Sequence, residues 1–254
     1  MSPRPSDTGE DPNDELFVVV DRSLDPRLVV YHDPRGPLAE QYRFFRTRLL
    51  AAPPATSVPG APLQGPLQAM VLTSSRPSEG KSLSAANVAL VLADLPSTTV
   101  CLVDADLRRP RQSRLFGVRS GPGLSDYLVE DIRSPDDLVI PTRLENLFLV
   151  PAGDQAMIPS AHFGSPRCLD LIHRLRERFH YVLFDTPPVG TFPDAAILAS
   201  RLDGVILVIR MKKTPRKVVE SSVDTLRRAG CHILSTLLTG VDTDKSWYEA
   251  YRSR

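Results

Sequence analysis

AMVLTSSRPSEGKSLSAANVALVLADL, residues 69–95, decides the fold. Ala69–Ser74 is a short apolar run closed by hydroxyls, as expected of a strand buried on both faces. Lys81–Leu95 is long, apolar and free of glycine and proline, which predicts a helix. The turn between them carries Gly80, the residue type that takes backbone angles closed to other side chains.

Outward from this unit the same alternation recurs. Thr99–Val103, Leu147–Val150, Tyr181–Phe184, Gly204–Arg210 and His232–Leu238 read as further strands. Pro166–Arg178, with Leu169, Ile172 and Leu175 on one side, and Pro215–Ala229 read as helices. Continuous apolar strands alternating with helices predict an α/β fold: a mostly parallel central sheet flanked by helices in a three-layer sandwich. Upstream, Leu38–Ala52 reads as a helix, with Leu38, Tyr42, Phe45 and Leu49 at spacings of three and four. The runs Val18–Val20 and Leu28–Tyr31 are β-branched and predict strands or extended segments. Residues 1–15, rich in Pro, Asp, Ser and Glu, predict a disordered tail. Residues 53–66, with five prolines and two glycines, predict a linker. The domain is expected over 16–242, followed by a flexible tail over 243–254.

Composition bounds the function. Thirty-one basic against thirty acidic residues leave a net charge of +1, which argues against a broadly basic nucleic-acid binder. The cysteines Cys101, Cys168 and Cys231 are far apart with no CxxC spacing, so buried free thiols are expected rather than a disulfide or zinc site. The five histidines show no ligand spacing. No apolar leader is visible at the start, and no apolar run approaches the roughly 20 residues that span a bilayer. The expected location is therefore cytoplasmic, and if the protein works at a membrane, a partner must bring it there.

Ser75–Ser82, SRPSEGKS, matches GxxxxGK[ST] except that Ser75 stands at the first glycine. Gly80 lets backbone N–H groups turn inward to phosphate oxygens, Lys81 brings a compact charge to the β/γ oxygens, and Ser82 offers a hydroxyl to Mg²⁺. Ser75, Arg76, Pro77, Ser78, Glu79, Gly80, Lys81, Ser82 and Leu83 are thus expected to cradle a nucleotide in a P-loop NTPase-like fold. The bland alternative, an ordinary βα turn, leaves the Lys-Ser pair unexplained. Two further strands end in acid: CLVDADLRRP with Asp104 and Asp106, and YVLFDTPP with Asp185. Strand carboxyl ends face the ligand crevice of a parallel sheet, so one carboxylate is expected to hold the metal and another to orient or deprotonate a nucleophile. Helix capping is the alternative for any one of them.

Together these motifs resemble the bacterial tyrosine kinases, autokinases of capsule and exopolysaccharide export. The resemblance rests on Pro77, Glu79, Gly80, Lys81 and Ser82; on Asp104, Asp106, Leu107, Arg108 and Pro110; on Asp185, Thr186, Pro187 and Pro188; on GLSDYL over 123–128; and on the ExxRxxR pattern of Glu40, Arg43 and Arg46. It spans roughly residues 26–242. It implies Lys81, Asp104, Asp106, Arg108 and Asp185 as catalytic, Ser82, Asp104 and Asp185 on Mg²⁺, and ATP as phosphoryl donor. It also implies Glu40, Arg43 and Arg46 as contacts of a ring-like homo-oligomer, Tyr248 and Tyr251 as acceptors on an adjacent copy, and a transmembrane polysaccharide co-polymerase as activator. Departures are Ser78 for a glycine, Thr239 where an asparagine often lies near the adenine, Arg76 at the signature lysine of partitioning ATPases, and two tail tyrosines instead of a longer cluster. An ATP-driven switch of the partitioning class, and a weakly catalytic assembly regulator, are the alternatives.

Overall fold

The computed structural model describes residues 24–51, 66–119, 121–129, 134–154 and 158–241. The proposed tail 1–15, the Val18–Val20 run, all but the end of the 53–66 linker, Tyr248 and Tyr251 lie outside the described residues.

Seven strands form one sheet in the order β3-β4-β2-β5-β1-β6-β7. They are β1 (Ala69–Ser74), β2 (Val100–Asp104), β3 (Ile140–Pro141), β4 (Leu147–Val150), β5 (Tyr181–Asp185), β6 (Gly204–Arg210) and β7 (Ile233–Thr239). All pairings are parallel except β3 with β4. β1 lies inside the sheet between β5 and β6, and every one of its residues is buried. Its side chains alternate between two cores. Ala69 and Val71 join the core that includes Leu171, Leu175 and Leu226. Met70 and Leu72 join the other, with Val88, Val91 and Leu92. That is the physical reason the strand reads as a continuous apolar run.

The helices are α1 (Val29–His32), α2 (Pro37–Ala51), α3 (Lys81–Ala93), α4 (Gln112–Leu115), α5 (Leu124–Leu128), α6 (Pro166–Arg178), α7 (Asp194–Ala199) and α8 (Arg216–Arg228). α3 is buried almost all round, which explains why its sequence shows apolarity rather than a stripe. α6 and α8 are amphipathic and cover the opposite face. α2 packs on α3.

Leu28–Tyr31, read as extended, belongs to a helical turn. Leu28 and Val30 are buried against α3, and the Val30 N–H donates to Asn87 Oδ1 at 3.2 Å. Burial against α3, not the β propensity of two valines, decides this segment. Pro34 follows closely and α1 ends before it.

Candidate active site

The loop Ser75–Gly80 joins β1 to α3 at the carboxyl end of the sheet. Gly80 sits at φ +94°, immediately before the first turn of α3. Ser78 is also left-handed, at φ +65°. The loop thus keeps the backbone turn of a glycine while carrying a side chain, and it tolerates the strain instead of avoiding it. The Ser78 carbonyl accepts from Arg210 Nη1 at 3.1 Å.

Glu79 organises the loop from within. Its buried carboxylate accepts the N–H groups of Ser75 and Arg76 at 2.9 and 3.1 Å, and the Thr214 hydroxyl donates to its other oxygen. Thr239, at the end of β7, donates to the Glu79 carbonyl at 2.6 Å. Gly190 permits the following chain to close over Ser75: a Cβ there would lie 2.4 Å from the Ser75 carbonyl oxygen.

Asp104 and Asp185 end adjacent strands and are register partners. Lys81 Nζ donates to Asp106 Oδ2 at 2.6 Å, to Asp185 Oδ1 at 3.2 Å and to Ser82 Oγ at 3.1 Å. Burial pulls the ammonium toward neutrality, but the charges of Asp185 and Asp106 prevail and raise its pKa. Asp104 is fully buried. Burial first, and the neighbouring Asp185 charge second, push its pKa up to about 8 against the N–H groups of Gln112 and Arg111. Those two N–H groups both reach Asp104 Oδ2 at 2.8 Å. Gln112, absent from the sequence reading, is also buried here: its Nε2 donates to Asp185 Oδ2 at 2.8 Å and to the Ser82 carbonyl at 3.0 Å.

These residues suit a nucleotide with a divalent cation. Asp104 Oδ1 is buried and has no hydrogen-bond partner, as does Ser75 Oγ, and uncompensated buried oxygens at a strand end ask for a ligand. Among the described residues no three acidic, His or Cys side chains close into a ready-made cage. Mg²⁺ does not require one, because it keeps several waters and is commonly bound through one or two carboxylates plus substrate phosphates.

Arg108 lies at the rim. Its guanidinium stands 4.0 Å over the Phe192 ring, and its Nε reaches Asp194 Oδ2 at 3.5 Å. Arg76, Pro77 and Ser78 are exposed, and Leu83 is half-buried in the first turn of α3. A groove of about 1240 Å³ runs from Gly80 and Thr239 to Leu38, Phe44 and Phe45 of α2. Glu40, Arg43 and Arg46 lie apart from this chemistry on α2. Arg43 pairs with Glu40 at 2.7 Å and with Asp94 at 3.5 Å, and Arg46 donates to the Val91 carbonyl at 2.5 Å.

A glycine-curled loop entering a helix, with its lysine held among strand-end carboxylates, defines a P-loop NTPase-like protein. No family model matches the chain. It is 32% identical over 183 residues to the tyrosine-protein kinase CpsD of Streptococcus agalactiae, covering 72% of this chain and 79% of that one. It is 26% identical over 226 residues to the putative tyrosine-protein kinase CapB of Staphylococcus aureus, covering 88% and 94%. Among solved structures, the chimerical protein CapA2B2 superposes with a TM-score of 0.77 at 27% identity, over 85% of this chain and 91% of that one. The BceF tyrosine kinase domain does so with 0.72 at 29%, over 85% and 82%. The chain belongs to the bacterial tyrosine-protein kinase family.

Proposed function

We propose that this kinase transfers the γ-phosphoryl group of ATP to Tyr248 and Tyr251 of an adjacent copy, with Mg²⁺ bound by Ser82, Asp104 and Asp185. The observation that carries the reading is the meeting of Lys81 with Asp106 and Asp185 inside the phosphate loop. When bound, Mg²⁺ neutralises charge on the β and γ oxygens. Lys81 exchanges its carboxylate partners for those oxygens, while the loop N–H groups and the first turn of α3 hold the phosphates. Asp106, freed of Lys81, accepts the phenol proton. The tyrosine oxygen forms its bond to Pγ as the bond from Pγ to the β-bridging oxygen breaks, and ADP leaves. Phenols ionise near pH 10, so a carboxylate at the acceptor favours the step at neutral pH. Arg108, braced by Phe192 and Asp194, meets the incoming tail.

The groove between the phosphate loop and α2 takes the base beside Thr239. Glu40, Arg43 and Arg46, on an accessible part of α2, contribute to packing between copies in a ring. Among the described residues no helix is long and apolar enough to cross a membrane. The same reading gives the kinase a transmembrane co-polymerase as partner and activator, at the inner membrane face in capsule or exopolysaccharide export.

The test is transfer in trans. A donor carrying Tyr248→Phe and Tyr251→Phe is mixed with a Lys81→Met acceptor and labelled Mg-ATP. Label on the acceptor's two tyrosines supports the reading. Phosphate release with an unlabelled acceptor rejects it in favour of an ATP-driven switch.

A further inference from the structure

Gln112 is a fully buried polar residue of the site that the mechanism above does not use. It opens α4, beyond the DADLRRP segment, and its relative exposure is 0%. Its side-chain nitrogen touches two groups that can only accept: the Ser82 carbonyl at 3.0 Å and Asp185 Oδ2 at 2.8 Å. That pair fixes which way the amide points, since the reverse orientation would set oxygen against oxygen at both contacts. Its main-chain N–H meanwhile holds Asp104 Oδ2 at 2.8 Å. One residue therefore ties the start of α3, the end of β2 and the end of β5. Each tie reaches a residue assigned to the metal through an atom other than the one proposed to meet it: Asp104 Oδ1 has no partner, and Asp185 Oδ1 and the Ser82 hydroxyl are engaged by Lys81 Nζ. The remaining amide oxygen, Gln112 Oε1, is buried and has no hydrogen-bond partner.

We infer that Gln112 is a positioning residue for metal-dependent phosphoryl transfer, locking Asp185 and the Ser82 turn so that, once Lys81 turns to the phosphates, the oxygens Gln112 does not engage are available to the cation. The inference rests on the metal assignment proposed above. An apolar core residue at this place would leave Asp185 Oδ2 buried without a donor, and the carboxylate would rotate to recover one. The carboxamide instead holds it without adding charge. The unpartnered Oε1 supplies an acceptor suited to a water of the cation's shell. Partners of this kind, one step out from a metal, typically change metal affinity or activity by about 10–100-fold.

The experiment compares Gln112→Met, close in length but unable to donate, with the unaltered chain. Binding of a fluorescent ATP analogue is followed during Mg²⁺ titration and again in EDTA. The expected result is a rise of about 10-fold in the Mg²⁺ midpoint, metal-free analogue affinity within about twofold, and a fall in kcat with little change in the KM for a tail peptide. An unchanged Mg²⁺ midpoint in folded Gln112→Met overturns the inference, and so does an equal loss of affinity in EDTA. If the unaltered chain itself shows no Mg²⁺ dependence, the underlying metal assignment fails instead. Should Gln112→Met not fold, side-chain amide NMR of the unaltered protein decides. The Gln112 amide protons are expected to resist exchange and to shift on adding Mg²⁺ to the analogue complex. Fast exchange, or no shift, overturns the inference.

Discussion

Binding of Mg²⁺ to the nucleotide-loaded protein should release a proton from Asp104. In the metal-free protein its carboxyl stands at about 8, raised first by burial and then by Asp185. A group of that pKa is about nine-tenths protonated at pH 7, half at pH 8 and about one-tenth at pH 9. The oxygen that meets the cation must be ionised, so metal binding releases about 0.9 proton per site at pH 7 and about 0.1 at pH 9. Calorimetric titration of Mg²⁺ into the complex with a non-hydrolysable ATP analogue, in buffers of low and high ionisation enthalpy, reads this number directly. Equal heats in both buffers at pH 7 would refute the reasoning, as would Asp104→Asn behaving like the unaltered chain. The same group sets a stability slope of definite sign. Between the ordinary carboxyl value of 3.8 and about 8, the folded chain keeps a proton that the unfolded chain has shed. Its stabilising effect is therefore full below pH 4 and is lost as pH rises through 8, by at most about 1.4 kcal/mol per unit. Metal-free protein should resist denaturant better at pH 6 than at pH 9, and Asp104→Asn should flatten that difference.

Other consequences follow from the loop and the cores. Ser78→Gly relieves a left-handed serine and should stabilise the free protein by up to about 1 kcal/mol, the relief of strain exceeding the entropy of glycine; thermal melting should show a rise of about 2–4 °C. Glu79→Ala leaves the Ser75 and Arg76 N–H groups without their acceptor and should cost about 2 kcal/mol in denaturant unfolding, with nucleotide affinity falling at least about tenfold. Burial holds the Cys168 and Cys231 thiols at about 12 and 11 and raises Cys101 as well. A thiol reagent at pH 8 should leave all three unmodified in the native protein and label all three in denaturant.

Much of this architecture was legible because its signals are long and chemically forced. β1, α3 and β6 are continuous apolar segments buried in the middle of the sandwich, and the Gly-Lys-Ser turn sits where strand meets helix. Asp104, Asp106 and Asp185 could be placed because the carboxyl ends of parallel strands face one crevice. Four-residue α1 was misread, since a single turn shows no period and its valines answer to α3 rather than to propensity. The short elements α4, α5, α7 and β3 escaped for the same lack of length. Gln112 and Asp194 were missed for another reason: each acts through burial beside residues distant in sequence, and glutamine carries no motif signature. A polar residue just after DADLRRP, inside an otherwise apolar helix face with Leu115 and Phe116, was the available hint. Glu79 was placed in the loop, but its role as internal acceptor for the loop's own N–H groups needed coordinates.

The central claim is that the Lys81 cradle drives phosphoryl transfer to tyrosine, and one measurement meets it head-on. Protein incubated with Mg-ATP is digested and its phosphotyrosines are quantified over time, beside Lys81→Met and beside an EDTA control. The account predicts phosphotyrosine in the unaltered chain, a rate lower by at least about 100-fold in Lys81→Met, and none with EDTA. ATP consumed without any phosphotyrosine, or undiminished labelling in Lys81→Met, would contradict it.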